Sequence, residues 1–133
     1  MPLHDTFVAN ERYKTLAESV QPLRSMHDYP LLMLDQNTVT RKAIINFSHS
    51  IGVHLHPEIE CGSLELMIQL AKNGVGIACV PREYVRRELS DDKTLFEIRT
   101  EPALPARGVG IAFPKNQTPS FAVREFFKMF DEN

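Results

Sequence analysis

The clearest hydrophobic pattern in the chain is a short apolar run from Leu31 to Leu34. A run without polar positions is typical of a strand buried on both faces, as in a parallel sheet. Asp35 to Asn37 has the composition of a turn, and apolar residues then recur between Ile44 and Ile51 at helical spacing. The stretch therefore predicts a strand, a polar turn and a helix, with Asn37 or Thr38 as the helix N-cap.

The same alternation of short apolar runs and helical patterns continues along the rest of the chain. Strands are predicted at 3–9, 58–61, 77–80, 95–98 and 109–113, and helices at 64–72, at 82–89 and from 118 onward. Residues 10–19 fit either a short helix or a loop. Gly52 and Gly74 follow two of the helices, where C-terminal capping glycines occur. Strands alternating with helices predict an α/β fold with a largely parallel sheet flanked by helices.

Composition and charge narrow the class of protein. The chain has 133 residues, which suits one domain, and a net charge of -2, which gives no electrostatic footprint for nucleic acid. There is no apolar run of about 18 residues that would span a membrane, and the N-terminal residues lack the layout of a signal peptide. Cys61 and Cys79 do not form a disulfide framework. We expect buried, reduced thiols in a cytoplasmic protein.

The junction between the apolar run and the following helix is the main candidate for chemistry. In open α/β sheets, ligands bind at the edge where strands lead into helices, and the free N–H groups and dipole of a helix start favour an anion. Thr38, Thr40 and Arg41 add hydroxyls and a positive charge there. The alternative is a simple capped helix with a solvated arginine, because every α/β protein contains such turns.

Three other groups of residues suggest chemistry less specifically. His54, His56 and Glu58 would share one face of a strand and could hold a metal, but a solvated edge is the simpler interpretation because further ligands at known spacing are missing. Cys61 could be a nucleophile, but a small core residue is the simpler interpretation. Gly74-Val75-Gly76 precedes a strand, whereas a dinucleotide fingerprint follows one. We therefore expect no catalytic residue, no metal and no cofactor.

Several segments, in this order along the chain, resemble the effector-binding domain of LysR-type transcriptional regulators. They are Asp5–Ala9, Tyr29–Leu34 with Thr38–Arg41, Glu58–Met67, Ala71–Pro81 and Gly108–Phe113. The family has a winged helix-turn-helix, a linker helix and two α/β subdomains that resemble type 2 periplasmic binding proteins. This chain departs from that pattern by truncation, since the DNA-binding part and most of the first subdomain have no counterpart.

The resemblance implies how the chain is divided and what it binds. Residues 1–27 would be a crossover strand and connector, 28–106 the second subdomain, and 107–133 a return strand and C-terminal helix. In the family a small organic acid or inorganic anion lies between the two subdomains. The positions that match its contacts are Asn37, Thr38, Thr40, Gly62 and Ser63. The chain would sense this effector, without catalysis, for a DNA-binding domain that it does not contain.

Partners and alternatives follow from the same resemblance. The predicted C-terminal helix carries an apolar stripe, Val123, Phe126, Phe127 and Phe130, whose usual partner is the missing subdomain. Because such a stripe is costly to leave in water, we expect a homodimer. No membrane contact is expected. The alternatives are a solute-binding-protein fragment of the same fold, which the free cysteines and absent signal peptide disfavour, and a small enzyme subunit.

Overall fold

A computed structural model describes residues 2–108 of the chain. Its main elements are β1 (Pro2–Ala9), β2 (Gln21–Pro22), β3 (Leu31–Leu34), α1 (Val39–Ser50), β4 (Ile59–Cys61), α2 (Leu64–Lys72), β5 (Ile77–Pro81), α3 (Arg86–Ser90), β6 (Phe96–Ile98), β7 (Thr100–Glu101) and β8 (Ala106–Gly108). Three 3-10 helices cover Glu11–Glu18, Leu23–Asp28 and Arg82–Tyr84. The predicted strand at 109–113 and the predicted C-terminal helix, on which the homodimer prediction rests, lie outside the described residues.

The main sheet confirms the predicted α/β class. Its strand order is β4-β3-β5-β1-β6, and β8 also pairs with β1. Strands β4, β3 and β5 are parallel, whereas β1 is antiparallel to β5, β6 and β8. All strands of this sheet except β1 therefore run in one direction. A second, two-stranded sheet joins β2 and β7 in parallel.

Alternation of side chains along the strands divides the core into two layers. Phe7 of β1 points to the face that packs against Ile44 of α1, and the next residue, Val8, points to the face covered by Met67 of α2. In β3 the first three residues are fully buried, with Leu32 on the α2 face and its neighbours on the α1 face. The apolar run is therefore buried on both faces, as its composition predicts.

The ends of the helices follow the predicted signals. Thr38 and Ser63 are the N-caps of α1 and α2, and Gly52 and Gly74 adopt a left-handed φ of 77° after these helices. The predicted helix at 82–89 is broken into two short pieces around the buried Val85. Within residues 2–108, no helix combines the length and the apolar character needed to span a membrane.

Candidate functional site

The carboxyl ends of two adjacent parallel strands define the candidate site. Leu34 of β3 lies opposite Cys61 of β4, and the amide of Asp35 donates a hydrogen bond of 3.2 Å to the carbonyl of Cys61. The two turns that follow these strands are thus tied together where they leave the sheet. As a result, α1 and α2 begin at the same sheet edge.

The turn after β3 is built by side chains that bond to their own backbone. The Asp35 carboxylate accepts a hydrogen bond from the Asn37 amide at 3.1 Å. The Thr38 hydroxyl donates to the Asp35 carbonyl at 2.8 Å and accepts from the Arg41 amide at 3.2 Å. Because the Thr38 proton is used within the turn, this hydroxyl can meet a ligand only as an acceptor unless the turn rearranges.

The turn after β4 is shorter and more open. The Ser63 hydroxyl accepts a hydrogen bond from the Leu66 amide at 3.1 Å, as an N-cap does. A Cβ added to Gly62 would meet no atom within 4 Å. Space is therefore available directly above the start of α2, and Gly62 exposes its backbone to that space.

The Arg41 side chain connects the ends of the two strands that lead into these turns. Its Nη1 donates to the carbonyl of Leu34 at 3.1 Å and lies 3.3 Å from Oε1 of Glu60 in β4. The side chain is only 13% exposed, so it is not the solvated surface charge that the sequence suggests. Its Nε is buried without a hydrogen-bond partner among the described residues. Arg41 therefore acts as a brace between β3 and β4, with its charge compensated by Glu60.

The predicted effector contacts lie on these two turns, except Thr40, which lies in the first turn of α1. Asn37, Gly62 and Ser63 are exposed, and Thr38 and Thr40 are partly buried. They offer hydroxyls, a side-chain amide and backbone N–H groups, which suit ligand binding rather than covalent chemistry. The fold brings both turns to one edge, and contact of these residues with an effector stays a prediction.

The cysteines do not favour the alternative of an enzyme. Cys61 and Cys79 are free and buried, as predicted. Burial raises the pKa of the Cys61 thiol. Burial and the nearby Asp5 carboxylate raise the pKa of Cys79, against a smaller opposing effect of Arg107. A raised pKa disfavours the thiolate, which is the reactive form.

The prediction that His54 and His56 share one face of a strand is wrong. Residues 53–58 form a loop, and the two imidazoles contact different partners: His54 packs on His49 and His56 on His27. In the described part of the chain, no group of three or more His, Cys, Asp or Glu residues is arranged to hold a metal ion. Leu55, the hydrophobic residue between the two histidines, is buried in the core, and its burial determines the path of the loop.

Gly74 and Gly76 lie where neighbouring residues leave little or no room for a side chain. A Cβ on Gly76 would collide with the carbonyl oxygen of Pro30, which also accepts a hydrogen bond from the Ile77 amide at 2.8 Å. A Cβ on Gly74 would lie 2.9 Å from the side chain of Asn10. Gly76 therefore allows β5 to approach the residue before β3, whereas Gly74 combines a left-handed φ with room for the Asn10 side chain.

A polar network in the middle of β1 has no counterpart in the sequence prediction. Arg107 donates to both carboxylate oxygens of Asp5 at 2.6 and 3.0 Å. On the opposite face, Glu97 accepts from the Thr6 hydroxyl at 2.7 Å and from Arg82 at 2.8 Å. The available signal was the interruption of an apolar strand by Asp5 and Thr6, since buried polar groups need partners.

This network stands at the same end of the sheet as the two helix starts. Asp5 lies opposite Pro81, the last residue of β5, and β5 runs parallel to β3. An open cavity of about 290 Å³ borders the network, with Thr6, Arg82 and Glu97 in its wall. Polar groups therefore gather at one sheet edge.

Comparison with known families identifies what this fold is. A family model described as the LysR substrate binding domain matches residues 6–133. No curated protein sequence matches the chain. The match covers nearly the whole chain and includes both turns of the candidate site.

Solved structures give the same picture. The regulatory domain of CcmR from Synechocystis PCC6803, in complex with 2-PG, has a TM-score of 0.75 at 19% identity, covering 97% of this chain and 62% of that one. The effector binding domain of QuiR, in complex with shikimate, has a TM-score of 0.72 at 17% identity, covering 96% and 59%. The bromide-bound regulatory domain of HypT from Salmonella typhimurium has a TM-score of 0.61 at 20% identity, covering 99% and 61%. This chain thus shares their fold over about three-fifths of their length.

Proposed function

The chain belongs to the LysR substrate binding domain family, and we propose that it senses a small anionic effector for a transcriptional regulator. The observation that carries this proposal is the hydrogen bond between Asp35 and Cys61, which ties the starts of α1 and α2 to one sheet edge. Two helix N-termini at one edge form a favourable place for a negative charge.

The attraction for an anion comes mainly from backbone groups. In α1 the Thr38 hydroxyl satisfies the amide of Arg41, and in α2 the Ser63 hydroxyl satisfies that of Leu66. The earlier amides of each first turn have no acceptor within their helix. These N–H groups, with the positive ends of the helix dipoles, favour an anion. Because Glu60 compensates the charge of Arg41, we expect the isolated chain to bind weakly.

The effector would be a small organic acid or an inorganic anion held above Asn37, Thr38, Thr40, Gly62 and Ser63. Relatives of the same fold in complex with 2-PG, shikimate or bromide support a small ligand. The chain spans 59–62% of those solved chains. In a longer regulator a first subdomain would close over this edge. Ligand binding would then shift the population toward the closed arrangement.

The remaining partners are proposals that rest on the family and the sequence. The parent regulator would be cytoplasmic and would contact DNA through a domain outside these 133 residues, in keeping with the net charge of -2. Pairing of two copies through the apolar stripe of the predicted C-terminal helix would give a homodimer.

An NMR titration tests the proposed anion site. Sodium sulfate and small dicarboxylates are added to the ¹⁵N-labelled chain, with sodium chloride at matched ionic strength as the control. We expect saturable shifts of amides in 36–41 and 62–64 with the divalent anions, and weaker shifts of the same amides with chloride, because a single charge is attracted less strongly. Shifts confined to residues far from both turns would contradict the proposal.

A further inference from the structure

Four histidines of the described chain lie in two close pairs at the opposite end of α1 from the candidate anion site. The ring centres of His49 and His54 are 4.8 Å apart, with planes inclined by 56°. Those of His27 and His56 are 5.9 Å apart, inclined by 67°. All four side chains are exposed, so a dissolved ion can reach them.

His49 and His54, the first pair, lie on either side of a rigid turn. After α1 the amide of Val53 donates to the carbonyl of Ser48 at 2.8 Å, and the amide of Gly52 donates to that of His49 at 3.0 Å. With Gly52 at a φ of 77°, these two bonds form a Schellman motif. Ser48 before the turn and Leu55 after it are buried in the core. The backbone on both sides of the pair is therefore fixed.

The spacing of this pair fits two ligands of one metal ion. A transition metal lies about 2.0–2.1 Å from an imidazole nitrogen and hence about 3.2 Å from the ring centre. Two ligand rings at angles of about 90–110° then have centres about 4.5–5.2 Å apart. The separation of 4.8 Å falls inside this range. The separation of 5.9 Å falls outside it and makes the second pair a matched control.

The surroundings also favour a cation. His49 lies in the last turn of α1, where the helix dipole attracts positive charge. His54 lines an open groove of about 450 Å³ together with Asp28 and Arg24, whose opposite charges largely offset each other, so the helix dipole at His49 is the main electrostatic attraction for a cation. Since residues 2–108 contain no set of three or more His, Cys, Asp or Glu residues placed for a metal, the other coordination positions would be filled by water or by an external ligand.

We infer that His49 and His54 form a two-imidazole site for a divalent transition metal ion such as Ni²⁺, Cu²⁺ or Zn²⁺, the ions that imidazole ligands suit. The site is independent of the proposed anion site. α1 has 12 residues, which at 1.5 Å per residue places about 18 Å between its two ends. The metal can therefore bind whether or not the anion proposal is correct.

Calorimetric titration of the untagged chain with NiCl₂ tests this inference. We expect one Ni²⁺ per chain, and at least about tenfold weaker binding in both His49→Ala and His54→Ala, since even outer-shell changes cost 10–100-fold at metal sites. His27→Ala, which alters the wider pair, should retain wild-type affinity. Circular dichroism confirms that each variant is folded, and His54→Gln repeats the test with a larger side chain.

A second measurement locates the ion. Substoichiometric Cu²⁺ should broaden the amide resonances of residues 49–54 before those of residue 27 or residue 56. Equal losses of Ni²⁺ affinity in His27→Ala and His49→Ala would overturn the inference, because they would indicate unselective binding to exposed histidines. Affinity unchanged in both His49→Ala and His54→Ala would overturn it as well.

Discussion

Arg107 holds Asp5 through two parallel hydrogen bonds, from Nε to Oδ2 at 2.6 Å and from Nη2 to Oδ1 at 3.0 Å. The Asp5 side chain is 2% exposed and that of Arg107 is 20% exposed. The pair joins β1 to β8, two strands from opposite ends of the described chain that run antiparallel. Bidentate geometry gives this contact directional specificity as well as energy. The ion pair therefore fixes the position of β8, the last described strand, relative to β1.

Loss of this pair should destabilise the fold strongly. Arg107→Ala would leave the Asp5 carboxylate buried without its partner, and removing one member of a buried ion pair costs about 3–5 kcal/mol. Because Arg107 is partly exposed, we expect a loss near 3 kcal/mol in the free energy of unfolding, measured with urea. Arg107→Lys keeps the charge but not the fork, so it should lie between alanine and wild type. A loss below about 0.5 kcal/mol for Arg107→Ala, the range of ordinary surface changes, would contradict this account.

Arg41→Lys tests whether Arg41 braces the two turns. Nη1 makes both contacts, with the Leu34 carbonyl and with Glu60, and lysine keeps the charge but not the guanidinium geometry that places this nitrogen between them. We expect a loss of about 1–2 kcal/mol in unfolding free energy, with NMR shifts that extend to the amides of Gly62 and Ser63. The control is Lys42→Met, at an exposed neighbour, which should change stability by less than about 0.5 kcal/mol. Equal effects of the two variants would exclude a bracing role.

Local features of the chain could be predicted from the sequence. The caps at Thr38 and Ser63 are bonds between a side chain and an amide three residues on. The apolar run of β3 needs no knowledge of its neighbours to indicate burial on both faces. The two turns of the candidate site could therefore be placed on the fold before the structure was known.

Features that depend on distant residues could not be predicted. A hydrophobic pattern does not encode strand direction, so it does not predict that β1 is antiparallel to β5. The partner of Asp5 lies 102 residues away along the chain. The Arg41 side chain of α1 is largely buried because it meets Glu60 of β4. His54 and His56 contact different partners because Leu55, between them, is buried in the core. Each outcome follows from long-range packing.

Two glycines provide a matched test of backbone packing. Gly76→Ala should lower the free energy of unfolding by at least about 2 kcal/mol, because the new methyl group would collide with the rigid carbonyl of Pro30. Gly62→Ala adds the same group where no atom lies within 4 Å, and should cost less than about 1 kcal/mol. Urea unfolding of both variants checks this. Similar losses would show that the close approach of Gly76 to Pro30 is not the cause.

Glu83 should contribute to the pH dependence of stability. Burial alone would raise the pKa of its carboxyl, but hydrogen bonds from the His4 amide and ring, both at 2.8 Å, lower the net pKa below the ordinary value of 4.5. Because the folded-state pKa is the lower one, this contribution is present above pH 4.5 and is lost as the pH falls through the folded-state value.

Glu83→Gln should therefore flatten the acid limb of the stability curve. Between pH 6 and pH 3, the wild type should lose more unfolding free energy than this variant. Glu18→Gln, at an exposed acid, serves as the control and should follow the wild type. If Glu83→Gln and the wild type lose equal amounts over this range, the contacts with His4 do not stabilise the ionised carboxyl.

The position of a bound anion tests the central claim most directly. Crystals of the chain can be soaked in sodium bromide and an anomalous difference map recorded at the bromine absorption edge. We predict an ordered bromide within hydrogen-bonding reach of the first-turn amides of α1 or α2, at Val39, Thr40, Leu64 or Glu65. Ordered bromide ions elsewhere on the surface, with none at either helix start when both are open to solvent, would contradict the proposed anion site.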